Sequence, residues 1–547
     1  MTAARRAWIA VAIATVATLI ARLVLARSVV SPFIFQDEGG YVGVARLLAG
    51  DAPSLYGPTY LPLWGVLLAP AAAALDPGAL HTAAQVLNAL VAAATIPVLH
   101  LLGRRVVGTP PWVSAAAAVA GGLTAASVLQ ATMLLPEALL ALTVAAVVLA
   151  LHAALGDRRV GPAVAAGALA GASYGVHPRA VVVVVAVVVV AVAAWRSGTL
   201  GARAAGALGG AAVVAAAASQ VLHAWATSEL YRSGTQPSLA GSPLGALGEP
   251  VGSAVIALGQ SWYVVVASLG LVAVGFAAAA QLGWTQRSTP AGLAAGFVVL
   301  GVLGSLALGT IGSYEVGAGT SVGRADLPLY GRYLEQWTPV LVVLAPALAR
   351  RWVRVVVPAT GAAVVAAAIA LHARYADEVW RGPMAWHNVA ALRVPVEVFG
   401  RDHVVATGVA AAVALTAAGL VATAGTDRRW WVVPLGAVAA VNVASGTILV
   451  REWAAPASEA WAARHELGDL AGPAASTVWV DLDEDFHVHW AYNAQFWDPD
   501  LDIAYYEGPP PPQAALVAGS PSTPPEPGAS LLATEPDGTI GLWDTAR

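Results

Sequence analysis

The residues best suited to chemistry are acids and arginines at the ends of the chain's apolar runs. Asp37 and Glu38 stand side by side just after the first apolar run, and Glu137 stands where a later run begins. Arg332 and Glu335 precede another run. A carboxylate can take a proton from a hydroxyl group or hold a divalent metal, and a guanidinium offers a planar fork to phosphate oxygens. These side chains therefore suit a reaction between a lipid-linked phosphate and a hydroxyl group.

Each residue also has a structural interpretation that needs no chemistry. Asp37 could cap the short amphipathic helix that the apolar spacing of residues 41–48 predicts. Glu137 could be a first-turn acid facing the positive end of its helix dipole, and Arg179 an interfacial arginine that reaches water. On a regular helix Glu38 would diverge from Asp37 by about 100°, so the adjacent acids are not expected to share one task.

The composition is that of a polytopic membrane protein. Of 547 residues, 58% are hydrophobic and only 11% are charged, which is too little charge to cover a soluble surface. The chain has no cysteine, which excludes disulfides and thiolate chemistry, and its net charge of -4 gives no sign of nucleic-acid binding. Apolar runs long enough to cross a bilayer predict about thirteen transmembrane helices, near residues 8–30, 82–103, 112–130, 136–155, 161–175, 178–195, 204–224, 259–281, 291–312, 334–349, 353–372, 403–424 and 430–450.

Arginines predict the orientation of these helices. With this set of spans, the arginine-bearing short loops, such as those at Arg104, Arg158 and Arg350, fall on one side, which the positive-inside rule assigns to the cytoplasm. The outer side then receives loop 31–81, which carries the acidic pair and a short interfacial or re-entrant helix over 61–75. The sequence thus predicts a multi-pass plasma-membrane protein whose candidate site faces outward.

The last part of the chain has the pattern of a small soluble domain. Strands are predicted over 478–481, 501–506, 514–518, 531–534 and 539–543, and a helix over 484–497. The predicted fold class is an all-α polytopic membrane domain, residues 1–450, with a small C-terminal α/β extracytoplasmic domain, residues 451–547. Aromatic residues in so small a domain are more often core than a sugar-binding platform, and acceptor binding by this domain is a hypothesis.

Several stretches resemble, in the same order, the GT-C glycosyltransferases, polytopic enzymes that use polyprenyl-phosphate-linked sugars. They include protein O-mannosyltransferases, lipid A aminoarabinose transferases and actinobacterial cell-wall arabinosyltransferases. One departure is Gly39-Gly40, where the family commonly has side chains; two glycines would loosen the helix start. The resemblance spans residues 20–350 and rests on Arg22-Leu-Val-Leu, Ser-Pro-Phe-Ile-Phe-Gln-Asp37-Glu38-Gly-Gly-Tyr41, Tyr56-Gly-Pro-Thr-Tyr-Leu-Pro-Leu-Trp64, Leu102-Gly-Arg-Arg105, Pro136-Glu137 and Gly331-Arg-Tyr-Leu-Glu335.

The resemblance implies a role for each candidate residue. Asp37 is implied as the catalytic base, and Glu137 as a second acid that could bind the acceptor or, with Asp37, a divalent metal (Mg²⁺ or Mn²⁺). Arg179 and Arg332, with the neighbouring His177, would contact the phosphate of the carrier. The remaining candidates are the pair's second acid and five residues that would contact donor or acceptor, namely Glu38, and Tyr41, Tyr60, Arg324, Tyr333 and Glu335.

The resemblance also implies an activity. A hexose or pentose would pass from polyprenyl phosphate to a hydroxyl of an envelope glycan, lipid or protein by one inverting displacement. An arabinosyl donor is favoured over a mannosyl donor only by the family and by the Ala-, Val- and Gly-rich composition, which suggests a GC-rich genome. Two other classes stay open, a transporter or flippase of a lipid-linked saccharide and a non-catalytic envelope scaffold. The near absence of charge inside the predicted spans disfavours the transporter.

Overall fold

Helices make up most of the chain in a computed structural model, and one small sheet lies near the C-terminus. The structure describes residues 1–51, 53, 55–56, 59–231, 243–318, 324, 326–375, 377–382, 384–424, 428–462, 477–482, 485–535 and 539–545. The α-helices, in chain order, are α1 Ala3–Ala26, α2 Phe35–Ala49, α3 Leu63–Ala72, α4 Pro77–Leu102, α5 Pro111–Gly122, α6 Ala125–Gln130, α7 Glu137–Asp157, α8 Val160–Val176, α9 Val181–Arg196, α10 Ala202–Leu230, α11 Pro243–Gly248, α12 Pro250–Ala267, α13 Leu271–Thr285, α14 Pro290–Ala318, α15 Arg332–Glu335, α16 Thr338–Leu344, α17 Arg350–Arg374, α18 Asp377–Arg381, α19 Arg393–Phe399, α20 Val404–Ala424, α21 Val432–Leu449, α22 Ala455–Ala462 and α23 Asp485–Trp497.

The helical bundle is that of a multi-pass membrane protein. Among the described residues, 10 helical runs are long and apolar enough to cross a bilayer. The predicted all-α membrane domain is therefore confirmed, although its helices are less uniform than predicted. Where full spans were predicted over 161–175 and 334–349, the structure has the shorter apolar helices Val160–Val176 and Thr338–Ala347, and Leu63–Ala72 lies where the interfacial helix was predicted.

Two of the predicted spans are each divided in two. The span over 259–281 breaks between α12 and α13, where Gly270 has a φ of 82°; such a left-handed residue ends a helix. The span over 112–130 breaks between α5 and α6, where the Thr124 hydroxyl accepts a hydrogen bond from the Ser127 N–H (3.2 Å) and caps the new helix. Hydropathy does not reveal such breaks because the residues around them stay apolar.

A five-stranded sheet forms the C-terminal domain of the described chain. Its order is β2-β1-β3-β5-β4; β1, β2 and β3 are parallel, and β5 runs antiparallel to β3 and β4. Parallel strands need a crossover, and α23 provides it between β1 and β2. The predicted α/β domain is confirmed, with strands β1 Val478–Asp481, β2 Ile503–Tyr506, β3 Leu516–Gly519, β4 Ser530–Thr534 and β5 Gly541–Asp544.

α23 joins this sheet to the membrane domain. On one side, Trp490 and Ala494 pack in the core beneath the sheet. On the other, Val488, Tyr492 and Phe496, spaced four residues apart, belong to the core of the membrane domain. The last membrane helix continues past residue 451 to Ala462. The predicted domain boundary at 451 therefore does not coincide with a helix end, and it stays a prediction.

Candidate active site

Glu38 fixes the start of α2, the helix that carries Asp37. α2 begins after Ile34, which makes no side-chain cap. Glu38 Oε2 accepts hydrogen bonds from the N–H groups of Phe33 and Ile34 (2.8 and 2.7 Å), and Oε1 accepts one from the N–H of Leu134 (2.8 Å). The side chain is fully buried. Burial and the charge of Asp37 raise the pKa of Glu38, and the three backbone hydrogen bonds offset only part of that shift. Glu38 therefore ties two loops together, and Asp37 is not the N-cap.

Asp37 lies in the first turn of α2, with both carboxylate oxygens engaged. The Tyr60 hydroxyl donates a hydrogen bond to Oδ1 (2.7 Å), and Arg332 Nη1 donates to Oδ2 (2.8 Å). The Asp37 side chain is 24% exposed, whereas that of Arg332 is 6% exposed. Asp37 is thus the more accessible member of this ion pair.

Arg332 joins Asp37 to the second predicted acid. Its Nε donates to Glu137 Oε1 (3.0 Å), and its Nη2 contacts the same oxygen. Arg179 Nη2 lies 3.4 Å from that oxygen as well. Glu137, Arg179 and Arg332 are all buried. We call Asp37, Glu137, Arg179 and Arg332 the central cluster; the structure brings together four residues that the sequence analysis selected from four separate segments.

The elements around the cluster explain this arrangement. Glu137 is the first residue of α7, so the helix dipole also favours its negative charge. Arg179 lies in a single turn at Pro178–Ala180, which His177 caps by accepting a hydrogen bond from the Arg179 N–H at Nδ1 (3.2 Å). Burial and the charges of Arg179 and Arg332 hold the pKa of His177 well below its usual value. His177 is therefore neutral, and it shapes the turn that presents Arg179.

Glu335 and Tyr333 lie on the same short helix as Arg332. Glu335 Oε1 accepts a hydrogen bond from the Tyr263 hydroxyl (2.6 Å), and its Oε2 has no hydrogen-bond partner within the described chain. Burial raises the pKa of Glu335 to about 7. Burial also raises the pKa of Tyr333, although the nearby charges of Arg179 and Arg332 act in the opposite direction. Both residues therefore border the central cluster.

Two tyrosines pack beside Asp37. The rings of Tyr41 and Tyr60 are 4.8 Å apart between centroids. The Tyr60 ring lies close against Gly40, where an added Cβ would come within 2.1 Å of it. The Tyr41 hydroxyl is buried and makes no hydrogen bond within the described residues. Rather than loosening the start of α2, Gly40 lets Tyr60 approach closely enough to reach Asp37.

Within the described residues, Arg324 pairs with Asp326 rather than with an acid of the central cluster. Its side chain is 42% exposed and pairs with Asp326 at 2.9 Å. Asp326 is fully buried and also accepts hydrogen bonds from the Ala385 N–H (2.9 Å) and the Asn388 side chain (2.8 Å). This pair fastens one loop to another, so a contact between Arg324 and donor or acceptor stays a prediction.

His387 is a neighbour of the cluster that the sequence analysis did not find. It is buried, its ring stacks on Trp453 with centroids 6.0 Å apart, and its Nδ1 has no partner among the described residues. Burial and the charge of Arg332 lower its pKa to about 3, although Asp37 opposes that shift. A single histidine 350 positions from Asp37 carries no local motif, so only the fold could reveal it.

The charges of the cluster decide the state of Asp37. Burial raises the pKa of this carboxyl, but the charge of Arg332, His387 and the hydrogen bonds from Arg332 and Tyr60 together lower it below its usual value. Asp37 is therefore an ionised carboxylate at neutral pH. It is a ready hydrogen-bond acceptor for a hydroxyl group, as a general base must be.

A divalent metal on Asp37 and Glu137 does not fit this arrangement. Arg332 bridges the two carboxylates and stands where a shared cation would have to bind. In the described part of the chain, no three His, Asp or Glu side chains group closely enough to hold a metal ion. Positive charge at this site comes from arginine, and no step below depends on a metal.

The fold resembles that of solved membrane proteins. ArnT from Cupriavidus metallidurans, bound to undecaprenyl phosphate, is 16% identical over 98% of this chain and 98% of its own, with a TM-score of 0.52. This likeness shows a shared fold, and it confirms the GT-C-like fold that the sequence resemblance implied. No protein-family model and no curated protein sequence matches the chain.

Two more distant likenesses accompany it. The Archaeoglobus fulgidus oligosaccharyltransferase tethered to an acceptor peptide is 11% identical over 89% of this chain and 63% of its own, with a TM-score of 0.42. The arabinosyltransferase EmbB from Mycobacterium smegmatis is 15% identical over 80% of this chain and 41% of its own, with a TM-score of 0.38.

Proposed function

We propose that the chain is a glycosyltransferase that moves a sugar from a polyprenyl-phosphate donor to an acceptor hydroxyl on the outer face of the plasma membrane. The observation that carries the proposal is the central cluster, in which one buried arginine bridges a partly exposed carboxylate and a buried one. Such a site offers a base to a hydroxyl and guanidinium groups to a phosphate within a few ångströms of each other.

The reaction is a single inverting displacement. The acceptor hydroxyl gives its proton to Asp37 as its oxygen forms a bond to the anomeric carbon. The bond from that carbon to the phosphate oxygen breaks, and its electron pair leaves with the polyprenyl phosphate. Phosphate is a good leaving group, so the site needs charge stabilisation rather than an acid.

Arg332 can supply that stabilisation by exchanging a hydrogen bond to Asp37 for one to the donor phosphate. Before substrate binds, two carboxylates and two guanidinium groups neutralise one another in the cluster. A donor phosphate adds negative charge, and Arg332 can turn one of its N–H groups from Asp37 to the phosphate. That movement would weaken the interaction that lowers the pKa of Asp37, and so make the carboxylate a stronger base when substrate is present.

The outward orientation rests on sequence and on position in the fold. The positive-inside pattern assigns the arginine-bearing short loops to the cytoplasm. α23 of the sheet domain packs on α2, so the sheet domain and the cluster lie at the same end of the bundle. An outer site would draw its donor from the outer leaflet and its acceptor from the cell envelope.

The carrier and the sugar are proposed only as chemical classes. The ArnT structure contains undecaprenyl phosphate, and we extend a polyprenyl phosphate carrier to this chain. The cluster favours neither a pentosyl nor a hexosyl donor, because the roles proposed for its charged groups concern the phosphate and the acceptor hydroxyl rather than the sugar.

The test is sugar transfer by purified protein in nanodiscs. Polyprenyl-phosphoryl mannose, arabinose and glucose would each be offered with a mixed envelope-glycan acceptor, comparing wild type with Asp37→Ala. The matched control is Asp402→Ala, which removes a surface carboxylate paired with Arg381. Transfer from one donor that Asp37→Ala alone abolishes supports the proposal. Donor binding without transfer by wild type would instead favour a transporter.

A further inference from the structure

Helix α23 of the sheet domain contacts the backbone of α2 beside Asp37. The Tyr492 ring on α23 lies so close to Gly39 that an added Cβ would come within 2.2 Å of it. Gly39 is two residues from Asp37 in the first turn of α2. Tyr492 is buried and belongs to the core of the membrane domain. The orientation of this turn therefore depends on a side chain from the other end of the chain.

A second contact holds the same two helices together, about two turns further along α2. Arg46, seven residues after Gly39 and thus on the same face of α2, directs its guanidinium to the carbonyl oxygens of Gln495 and Phe496. These carbonyls lie at the C-terminal end of α23, where helix carbonyls lack intrahelical partners and a cation is favoured. Arg46 is 4% exposed. The two helices are therefore locked at two points, and Tyr492 is the point nearer to Asp37.

Tyr492 also holds the segment that brings Tyr60 to Asp37. Its hydroxyl donates a hydrogen bond to the carbonyl oxygen of Tyr56 (2.7 Å), four residues before Tyr60. The Tyr60 ring in turn lies against Gly40, and its hydroxyl donates a hydrogen bond to Asp37 Oδ1. One ring thus supports the backbone of Asp37 on one side and the segment bearing its hydrogen-bond donor on the other.

We infer that Tyr492 is a positioning residue, through which the C-terminal sheet domain sets the orientation of the Asp37 carboxylate. The inference rests on the proposed function for its catalytic consequence. A catalytic group displaced by about 1 Å can lose as much as a hundredfold in rate. Removing the ring would leave Glu137, Arg179 and Arg332 in place but release the turn that orients Asp37.

Four variants test this role. Tyr492→Ala is expected to lower kcat about 10- to 100-fold while the donor KM changes less than about threefold. Tyr492→Phe keeps the ring on Gly39 and should retain most of the activity. Gly39→Ala should lower kcat as well, because its methyl group meets the ring. Combining Gly39→Ala with Tyr492→Ala should recover part of that loss, since the methyl group then enters the vacated space.

Two controls separate positioning from simple docking. Gly436→Ala adds the same methyl group at a helical glycine with open space around it and should behave as wild type. Hydrogen exchange of the peptide covering residues 31–41 provides a readout that does not need turnover. Exchange there should rise in Tyr492→Ala and stay at the wild-type level in Tyr492→Phe.

The inference would be overturned if Tyr492→Ala kept the wild-type kcat and exchange, or if the double variant were no better than Gly39→Ala alone. A wild-type protein that transfers no sugar would defeat the proposed function instead. In that case the exchange measurement alone would still decide whether Tyr492 holds the first turn of α2.

Discussion

Replacing Arg332 with glutamine should destabilise the protein in a way that depends on pH. The arginine is buried and makes its ion pairs with Asp37 and Glu137 through Nη1, Nε and Nη2. Removing one partner of a buried ion pair typically costs about 3–5 kcal/mol because the other charge stays buried and uncompensated. We expect a loss of that order in the free energy of unfolding at pH 8.

The loss should shrink as the pH falls. In the wild type, the folded pKa of Asp37 lies below its usual value, so its contribution to stability is present at neutral pH and is lost only in acid. Without Arg332, burial would be the larger influence and would raise the pKa of this carboxyl. A raised folded pKa makes stability fall as pH rises, so the variant should approach the wild type near pH 5.

Apparent unfolding temperature, followed by intrinsic tryptophan fluorescence from pH 5 to pH 8, measures both effects. Arg332→Gln combined with Asp37→Asn should regain much of the stability, because residue 37 is then neutral while Glu137 keeps its ion pair with Arg179. Arg381→Gln is the matched control, since it removes an ion pair with Asp402 at the surface, and such pairs contribute little to stability. Wild-type stability of Arg332→Gln at pH 8, or an unchanged pH dependence, would refute this reasoning.

Three further changes have distinct expected outcomes. Tyr60→Phe removes a hydrogen bond that lowers the pKa of Asp37, so the acid limb of the transfer pH profile should move to higher pH; an unmoved limb would contradict the assignment. Glu38→Gln should lower the unfolding temperature more than Asp37→Asn does, because an amide N–H₂ at residue 38 would face backbone N–H donors, whereas Arg332 keeps its ion pair with Glu137 when residue 37 is neutral. Glu335→Gln should remove a fall in stability between pH 4.5 and about 7, the range between the ordinary and the folded pKa of Glu335, which pH-dependent thermal unfolding would detect.

The sequence predicted the fold class and much of the cluster for physical reasons. Long apolar runs report which segments leave water, and alternating apolar residues report strands, so β1 was found at 478–481. The central cluster was found because Asp37, Glu137, Arg179 and Arg332 matched a family pattern, not because any local signal joined them. Arg332 lies 295 positions from Asp37 in the chain, and only packing brings them to 2.8 Å.

The rest depended on contacts that a pattern cannot show. Glu38 was expected to have a task different from that of Asp37, but the sequence did not show which one: its carboxylate binds backbone groups at Phe33 and Leu134, whose proximity follows from how two loops meet. Gly39 and Gly40 predicted a loosened helix, whereas each is covered by a tyrosine ring. In both cases the missing information was the identity of the neighbour rather than the character of the residue.

The central claim is that the Asp37 carboxylate takes the acceptor proton during sugar transfer. Single-turnover transfer by Asp37→Asn, in nanodiscs loaded with the donor that the wild type uses, tests it most directly, with Asp402→Asn as the control. A general base contributes about 10²–10⁴-fold, so the account predicts a loss of that size with donor binding intact. A rate near that of the wild type would contradict it.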